Sequence, residues 1–410
     1  MKPGREFFLE AGLFVFILLA PLSFGAVYPW GAMSLAALLF FLFIFFPDPP
    51  AALLDLPGFF TVGILFIFLA LAVEFFLSPA GRYITAIELV KWLACVCGFV
   101  IVQGLEKESV CRLMGFFFLL GAAESLYGMA EVFSGREHVL WQAKEAYRGF
   151  VTGTYINRNH LAGFLEMSLG IGLGFLFAPV EEQKWGRFFG LSLCLTILLT
   201  GLLKTGSLMG LTSVLMVLFI FSSMLLLRSR GLLGLSVFVL WIGFLGGAAF
   251  FLGRDILFSR LMDLDVRGES LQGRFSVWQD ALKIIGSHFW RGTGLGTYEW
   301  VFPVYQSEKI LMGWEHAHND YLELAIELGI PLFLLLIFCF LALWFYCIQR
   351  LFGLSNERIF SVAWGGFMGL SAFAIHGLAD FNLAIPANHY LFILLLGMVV
   401  RLLQEEYAKI

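Results

Sequence analysis

The chain has 410 residues, 60% of them hydrophobic and only 14% charged, with a mean hydropathy of +0.87. Soluble domains sit near 45–50% apolar and about 25% charged, so that class is excluded; 47 Phe and 11 Trp suit lipid exposure instead. The formal net charge of -4 leaves no basic footprint for nucleic acid.

A membrane span needs about 20 mostly apolar residues. In chain order the sequence offers 7–25, 31–47, 58–77, 85–104, 109–133, 159–178, 187–203, 205–226, 231–252, 328–348, 359–377 and 388–403. The expected fold is an all-α polytopic bundle of about 12 spans in one integral membrane domain over 1–410. Lys2 and Arg5 precede the first run, which reads as a retained span rather than a removed signal peptide. The six cysteines fall inside apolar runs, with neither metal spacing nor a disulfide framework.

Basic residues set the orientation. With the N-terminus inside, one side collects Lys2, Arg5, Lys107, Arg112, Lys184, Arg187, Arg228, Arg230, Arg350, Arg358, Arg401 and Lys409, and the short segments of the other hold only Arg82 and Lys204. Both termini are therefore expected in the cytoplasm, and segments 134–158 and 253–318 outside. The longer segment is long enough to be expected functional by default. Within it, Phe275, Trp278, Leu282 and Ile285 recur at three- and four-residue steps, which predicts an amphipathic helix near 273–286.

The strongest local signal runs from Glu315 through His316, His318 and Asn319 to Glu323. Asp320 followed by Glu323 has the form of a capping box, so a helix is expected to begin there, with Gly329 and Pro331 ending it. His318 would then sit just outside a helix N-terminus, whose dipole favours a neutral ring that accepts a proton. The plainer reading is a loop histidine at the interface. Upstream, Arg274, Lys283 and Arg291 share the outer segment, and Arg291 leads into the run Gly292, Gly294, Gly296, which reads as a tight connection or, alternatively, as an anion site. Asn157, Arg158, Asn159 and His160 open the span at 159–178, where they serve as caps or as phosphate ligands. Lys204 lies between two spans, His376 and Asp380 close another, and Glu88 with Lys91 reads as a structural ion pair. One neutral histidine and several cations on one face, with few carboxylates in the spans, suit a diphosphate-bearing lipid: the cations neutralise the leaving diphosphate and the histidine takes a proton from an attacking hydroxyl.

These residues resemble the O-antigen ligase and polymerase superfamily of bacterial membrane glycosyltransferases, over about 152–388. The resemblance rests on His318 and Asn319 followed by Gly329, on Arg274 with Trp278, on the glycine run, on Asn157 to His160, and on His376, Asp380 and Pro386. It implies a GT-C-like fold and transfer of a glycan from undecaprenyl diphosphate to an acceptor hydroxyl at the periplasmic face of the inner membrane, without metal or other cofactor. His318 matches the proposed base. Arg274 matches a diphosphate ligand, with Arg291, Lys204, Arg158, Asn157, Asn159, His160, His316, Asp380 and His376 as further candidates. The implied acceptor is a lipid A-core glycolipid, as for a ligase; a growing O-antigen or a protein hydroxyl are the alternatives, and a lipid or glycan transporter is the reading from another class. Two positions depart from the family pattern. Leu332 stands where Gly, Thr or Tyr is usual, and Leu208 follows Ser207 where arginine is common; Lys204, one turn earlier, offers a point charge in its place.

Overall fold

The computed structural model describes residues 3–46, 58–77, 81–179, 185–227, single positions between 239 and 255, 264–308, 310 and 313–404. The helices are α1 (Pro3–Leu22), α2 (Pro29–Ile44), α3 (Gly58–Leu77), α4 (Arg82–Gln103), α5 (Lys107–Ser134), α6 (Arg158–Phe177), α7 (Trp185–Thr205), α8 (Leu208–Leu227), α9 (Leu264–Ser287), α10 (Tyr298–Tyr305), α11 (Asp320–Leu328), α12 (Ile330–Gly353), α13 (Glu357–His376) and α14 (Pro386–Leu403). A two-stranded antiparallel hairpin, β1 (His138–Val139) and β2 (Gln142–Ala143), sets His138 opposite Ala143.

The protein is an all-α multi-pass membrane protein. Among the described residues, seven helices (α4, α5, α6, α7, α12, α13 and α14) are long and apolar enough to cross a bilayer. Eleven of the expected twelve spans coincide with helices, four of which (α1, α2, α3 and α8) are not among the seven. The expected span 231–252 falls largely outside the described residues. The break between the seventh and eighth spans comes at Gly206, whose φ of 63° ends α7 in a left-handed turn, so Lys204 lies in the last turn of α7 rather than between helices.

Of the seven, α6, α13 and α14 are the most enclosed. Glycines bring α6 and α13 together: a methyl group at Gly170 would strike the backbone of Gly365 and Gly369, and one at Gly174 the backbone of Ser361 and Gly365. Small residues at a helix crossing let two backbones approach, the usual solution where lipid supplies no hydrophobic drive.

The two ends of the bundle differ in chemistry. At one end Arg112 grips Glu10 with two hydrogen bonds of 2.6 and 2.7 Å, Arg187 donates to the Phe175 carbonyl, and Arg401 donates to that of Leu105. At the other, the hairpin segment, α9, α10, α11 and the turn between α13 and α14 form a cap. Its own small core holds Val277, Ala281, Ile284, Tyr298, Phe302 and Ala317. The helix expected near 273–286 is there as the C-terminal part of α9, but its inner face is turned from the expected one: Trp278 and Ile285 are half-buried against the cap's core, Phe275 and Leu282 are exposed, and Val277, Ala281 and Ile284 are buried. The segment carries two adjoining apolar stripes, and packing against α10 and α11 centred the buried face on the smaller side chains beside Trp278 and Ile285.

Candidate active site at the capped end of the bundle

The polar turn 377–382, between α13 and α14, organises the site. Asp380 within it is 1% exposed, and four other segments converge on it. Asn159, in the first turn of α6, donates to Asp380 Oδ2 at 2.6 Å. His376 Nε2 lies 3.6 Å from the same oxygen, and His318 Nδ1 lies 3.7 Å from Oδ1. Arg274, on α9, donates to the neighbouring carbonyl of Ala379 at 2.9 Å. The Asp320 amide donates to the carbonyls of Gly377 and Asp380, which fastens the start of α11 to the same turn. Burial pushes the Asp380 carboxyl up, but the rings of His318 and His376 outweigh it and hold the group well below the usual carboxylate range.

Phe381 is the apolar counterpart. His316 stacks on its ring with centroids 4.3 Å apart, and His318 and His160 meet it edge-on at 4.6 and 4.7 Å. Trp314 closes on His318 from another side at 5.1 Å. Trp278 Nε1 donates to the Ala317 carbonyl at 2.9 Å, immediately before His318. His318 itself takes φ = 49°, a left-handed conformation that is uncommon for a residue with a side chain and marks a turn held by its surroundings.

The capping expected at this helix is differently arranged. Asn319, not Asp320, is the N-cap, accepting from the Leu322 amide at 3.0 Å. Glu323 reaches back past the cap to the Ala317 amide at 2.9 Å and to His316 Nδ1 at 2.8 Å. Burial lowers the His316 ring, but the Glu323 carboxylate more than offsets this and raises it. Asp320 turns inward instead: Oδ1 accepts from the Leu383 amide and Oδ2 is buried without a partner, so burial drives this carboxyl well above its ordinary value.

The other candidates divide into those at the centre and those apart from it. His160 is buried against Phe381, with its carbonyl accepting from Asn388. Asn157 caps α6 by accepting from the Asn159 amide. Arg158 lies over the rings of Phe150 and Tyr147 and donates to the Thr205 carbonyl, while Lys204 pairs with Asp255 at 3.1 Å. These two cations form a group beside the hairpin segment, where the Val151 amide donates to the Lys204 carbonyl. Arg291 is exposed and lines a separate cavity of about 240 Å³ with Thr85, Glu327 and Pro331.

The glycine run is a tight connection. The Thr293 and Gly294 amides donate to the Ile326 and Glu327 carbonyls, and the Gly296 and Tyr298 amides serve the Glu327 carboxylate. These N–H groups are spent on the end of α11, which leaves the anion-site reading without its donors.

A cavity of about 720 Å³ opens beside the site, walled mainly by apolar side chains of α2, α3, α4, α12, α13 and α14. His316, Asp320, Glu323 and Gly377 line it; His318 and Arg274 do not. Glu88 and Lys91, ion-paired as expected, lie on its wall beneath Gly296. The spans also hold more acid than expected: Glu124 accepts from the Thr154 amide and hydroxyl, and Glu166 pairs with His376 at 2.7 Å, both carboxylates fully enclosed. Glu166 carried no motif, and its partner lies 210 residues away in sequence. Phe381 and Trp314 could not be told from other aromatics for the same reason.

A polytopic helical protein whose capped end gathers histidine, arginine and carboxylate beside an apolar cavity is the class that fold and site define. Residues 191–337 match the family model described as O-antigen ligase. That stretch runs from α7 into α12 and contains both Arg274 and His318; the resemblance read from the sequence is shown there, and with it a glycosyltransferase-like function at the level of the family. No curated protein matches the chain.

Proposed function

We propose that this protein transfers a glycan from a polyprenyl diphosphate, undecaprenyl diphosphate in bacteria, to an acceptor hydroxyl at the periplasmic face, in the manner of an O-antigen ligase. The observation that carries the reading is the convergence of His318 and Arg274, which both lie in the family-matched segment, on the two adjoining residues Asp380 and Ala379 outside it. In this mechanism His318 removes the proton of the attacking hydroxyl as the glycosidic bond to the diphosphate breaks, and Arg274 offsets the charge that builds on the leaving diphosphate. Asp380 orients the ring and is the fixed counter-charge when the ring takes the proton.

The 720 Å³ cavity suits the lipid chain of a substrate. Among the described residues its lining includes Glu299 and Glu315, both exposed, and Lys91 as the single lysine. The diphosphate therefore belongs on the side of Arg274, with Arg158 and Lys204 as the next cations. A twelve-span GT-C-like arrangement, with both termini cytoplasmic and the site facing the periplasm, goes with this reading, supported by the basic residues at the opposite end of the bundle.

Glycan transfer is the test, measured with the full-length protein in proteoliposomes, a polyprenyl-diphosphate-linked glycan and a glycolipid acceptor. His318→Ala and Arg274→Ala should each abolish product. Full activity in both removes the assigned roles, and accumulation of glycan across the vesicle without a glycosidic product replaces transfer with transport. Comparing lipid A-core, growing glycan and protein as acceptor separates a ligase from a polymerase or a protein-glycosylating enzyme.

A further inference from the structure

We propose that Glu166 and His376 are positioning residues for the transfer reaction, a buried acid–imidazole pair that holds Asp380 and, through it, the His318 ring. This rests on the transferase reading above and extends it to two side chains that touch no substrate.

Four groups follow one another, one from each of four parts of the fold. Glu166 Oε1, on α6, accepts from His376 Nδ1 at 2.7 Å; His376 Nε2, at the end of α13, lies 3.6 Å from Asp380 Oδ2; Asp380 Oδ1 lies 3.7 Å from His318 Nδ1. The side chains of Glu166 and His376 are 0% exposed and that of Asp380 1%, whereas that of His318 is 24% exposed. Only the last ring of the chain meets the outside. A substrate can reach His318 but not the groups behind it.

Burying acids and an imidazole among spanning helices is costly, and such groups are usually held there by a function or by one another. Pairing alone would explain Glu166 with His376, but not why the second ring nitrogen faces a third ionisable group that itself faces a fourth. The His376 ring is hydrogen-bonded to Glu166 through Nδ1, and its other nitrogen faces Asp380 across a longer gap of 3.6 Å, so the ring fills the space behind that carboxylate and limits where it can turn. Asn159 completes the restraint on Asp380 with a 2.6 Å hydrogen bond.

The sequence makes room for this arrangement. A methyl group at Gly210 would press on Glu166 Oε1, so the glycine at this position leaves space for the carboxylate. The glycine-lined crossing at Gly170, Gly365 and Gly369 then fixes how far Glu166 stands from His376.

The test uses the full-length protein with Glu166→Gln, His376→Gln and Asp380→Asn, alone and paired. The expected result for each of the first two is a loss of about tenfold or more in kcat with the donor KM within about twofold. Adding Glu166→Gln to Asp380→Asn should cost little more than Asp380→Asn alone, because groups that act as one unit are not additive. Losses that multiply, or an unchanged kcat, overturn the proposal. Carbethoxylation of His318, followed site by site by mass spectrometry, needs no activity and so separates this proposal from the transferase reading. In Glu166→Gln the His318 rate should rise about threefold or more, with His138, on the hairpin and hydrogen-bonded to the Arg136 carbonyl, as the unchanged reference. Equal His318 rates in the variant and the parent overturn the proposal even if glycan transfer proves to be the wrong reaction.

Discussion

His318 Nδ1 stands 3.7 Å from Asp380 Oδ1, an approach made by a loop before α11 toward a turn 62 residues further along the chain. The Asp320 amide, bonded to the carbonyls of Gly377 and Asp380, keeps the two segments in register. Removing the carboxylate charge while keeping the shape therefore isolates its part in the reaction. Asp380→Asn should lower glycan transfer by roughly 10²-fold, within the span associated with general-base catalysis. Initial rates at saturating donor and acceptor measure it, and a rate within twofold of the parent would remove Asp380 from the mechanism.

Trp278 offers a finer probe. Its Nε1 donates to the Ala317 carbonyl at 2.9 Å and so braces the left-handed turn at His318. Trp278→Phe keeps most of the ring but deletes that donor, at a cost of about 1 kcal/mol for a lost hydrogen bond. The expected outcome is a severalfold fall in kcat with an unfolding temperature close to that of the parent. An equal loss of fold and rate would mark the bond as structural only.

The crossing of α6 and α13 should tolerate no side chain. Gly170→Val drives methyl groups into the backbone of Gly365 and Gly369. The expected cost is about 1–3 kcal/mol or more, as for overpacking of a tight core. Thermal unfolding of the detergent-solubilised protein measures it, with Gly186→Val as the comparison, because nothing stands within 4 Å of a methyl group placed there.

Glu327 gives a pH dependence with a definite sign. Burial, followed by the nearby Glu323 carboxylate, holds its carboxyl well above the ordinary range. A group whose folded value is raised contributes stability below its unfolded value, and that contribution fades as pH rises through the folded value. Glu327→Gln keeps an oxygen to accept from the Tyr298 amide and cannot ionise. The variant should gain in unfolding temperature relative to the parent as pH is raised past neutrality, with the smallest difference in acid. A gap that narrows with rising pH would contradict the assignment.

The membrane class, the helix positions and the residues worth watching were legible in the sequence because each depends on local chemistry. Apolar length sets a span, and glycine at 206 or 329 ends a helix wherever the rest of the chain lies. His318, Arg274, Asp380 and Asn159 stood out as polar groups bordering apolar runs. The inner face of α9 did not, since both of its apolar stripes fit the same period. Nor did the capping around Asn319: Glu323 had the spacing of a capping partner, but the fold spends it on His316 and Ala317.

Sequence by itself thus determined that the chain enters a bilayer and that many of its polar residues stand at helix ends, because the cost of exposing backbone and charge to lipid applies residue by residue. Tertiary structure alone decided which of those residues meet. Glu166 and His376 are 210 positions apart, and only the close glycine crossing of α6 and α13 turns a candidate histidine and an unremarked glutamate into a 2.7 Å pair behind Asp380. The same packing spent the glycine-run amides on the end of α11 and set Arg291 apart from His318, outcomes of distance and direction in three dimensions that no local pattern encodes.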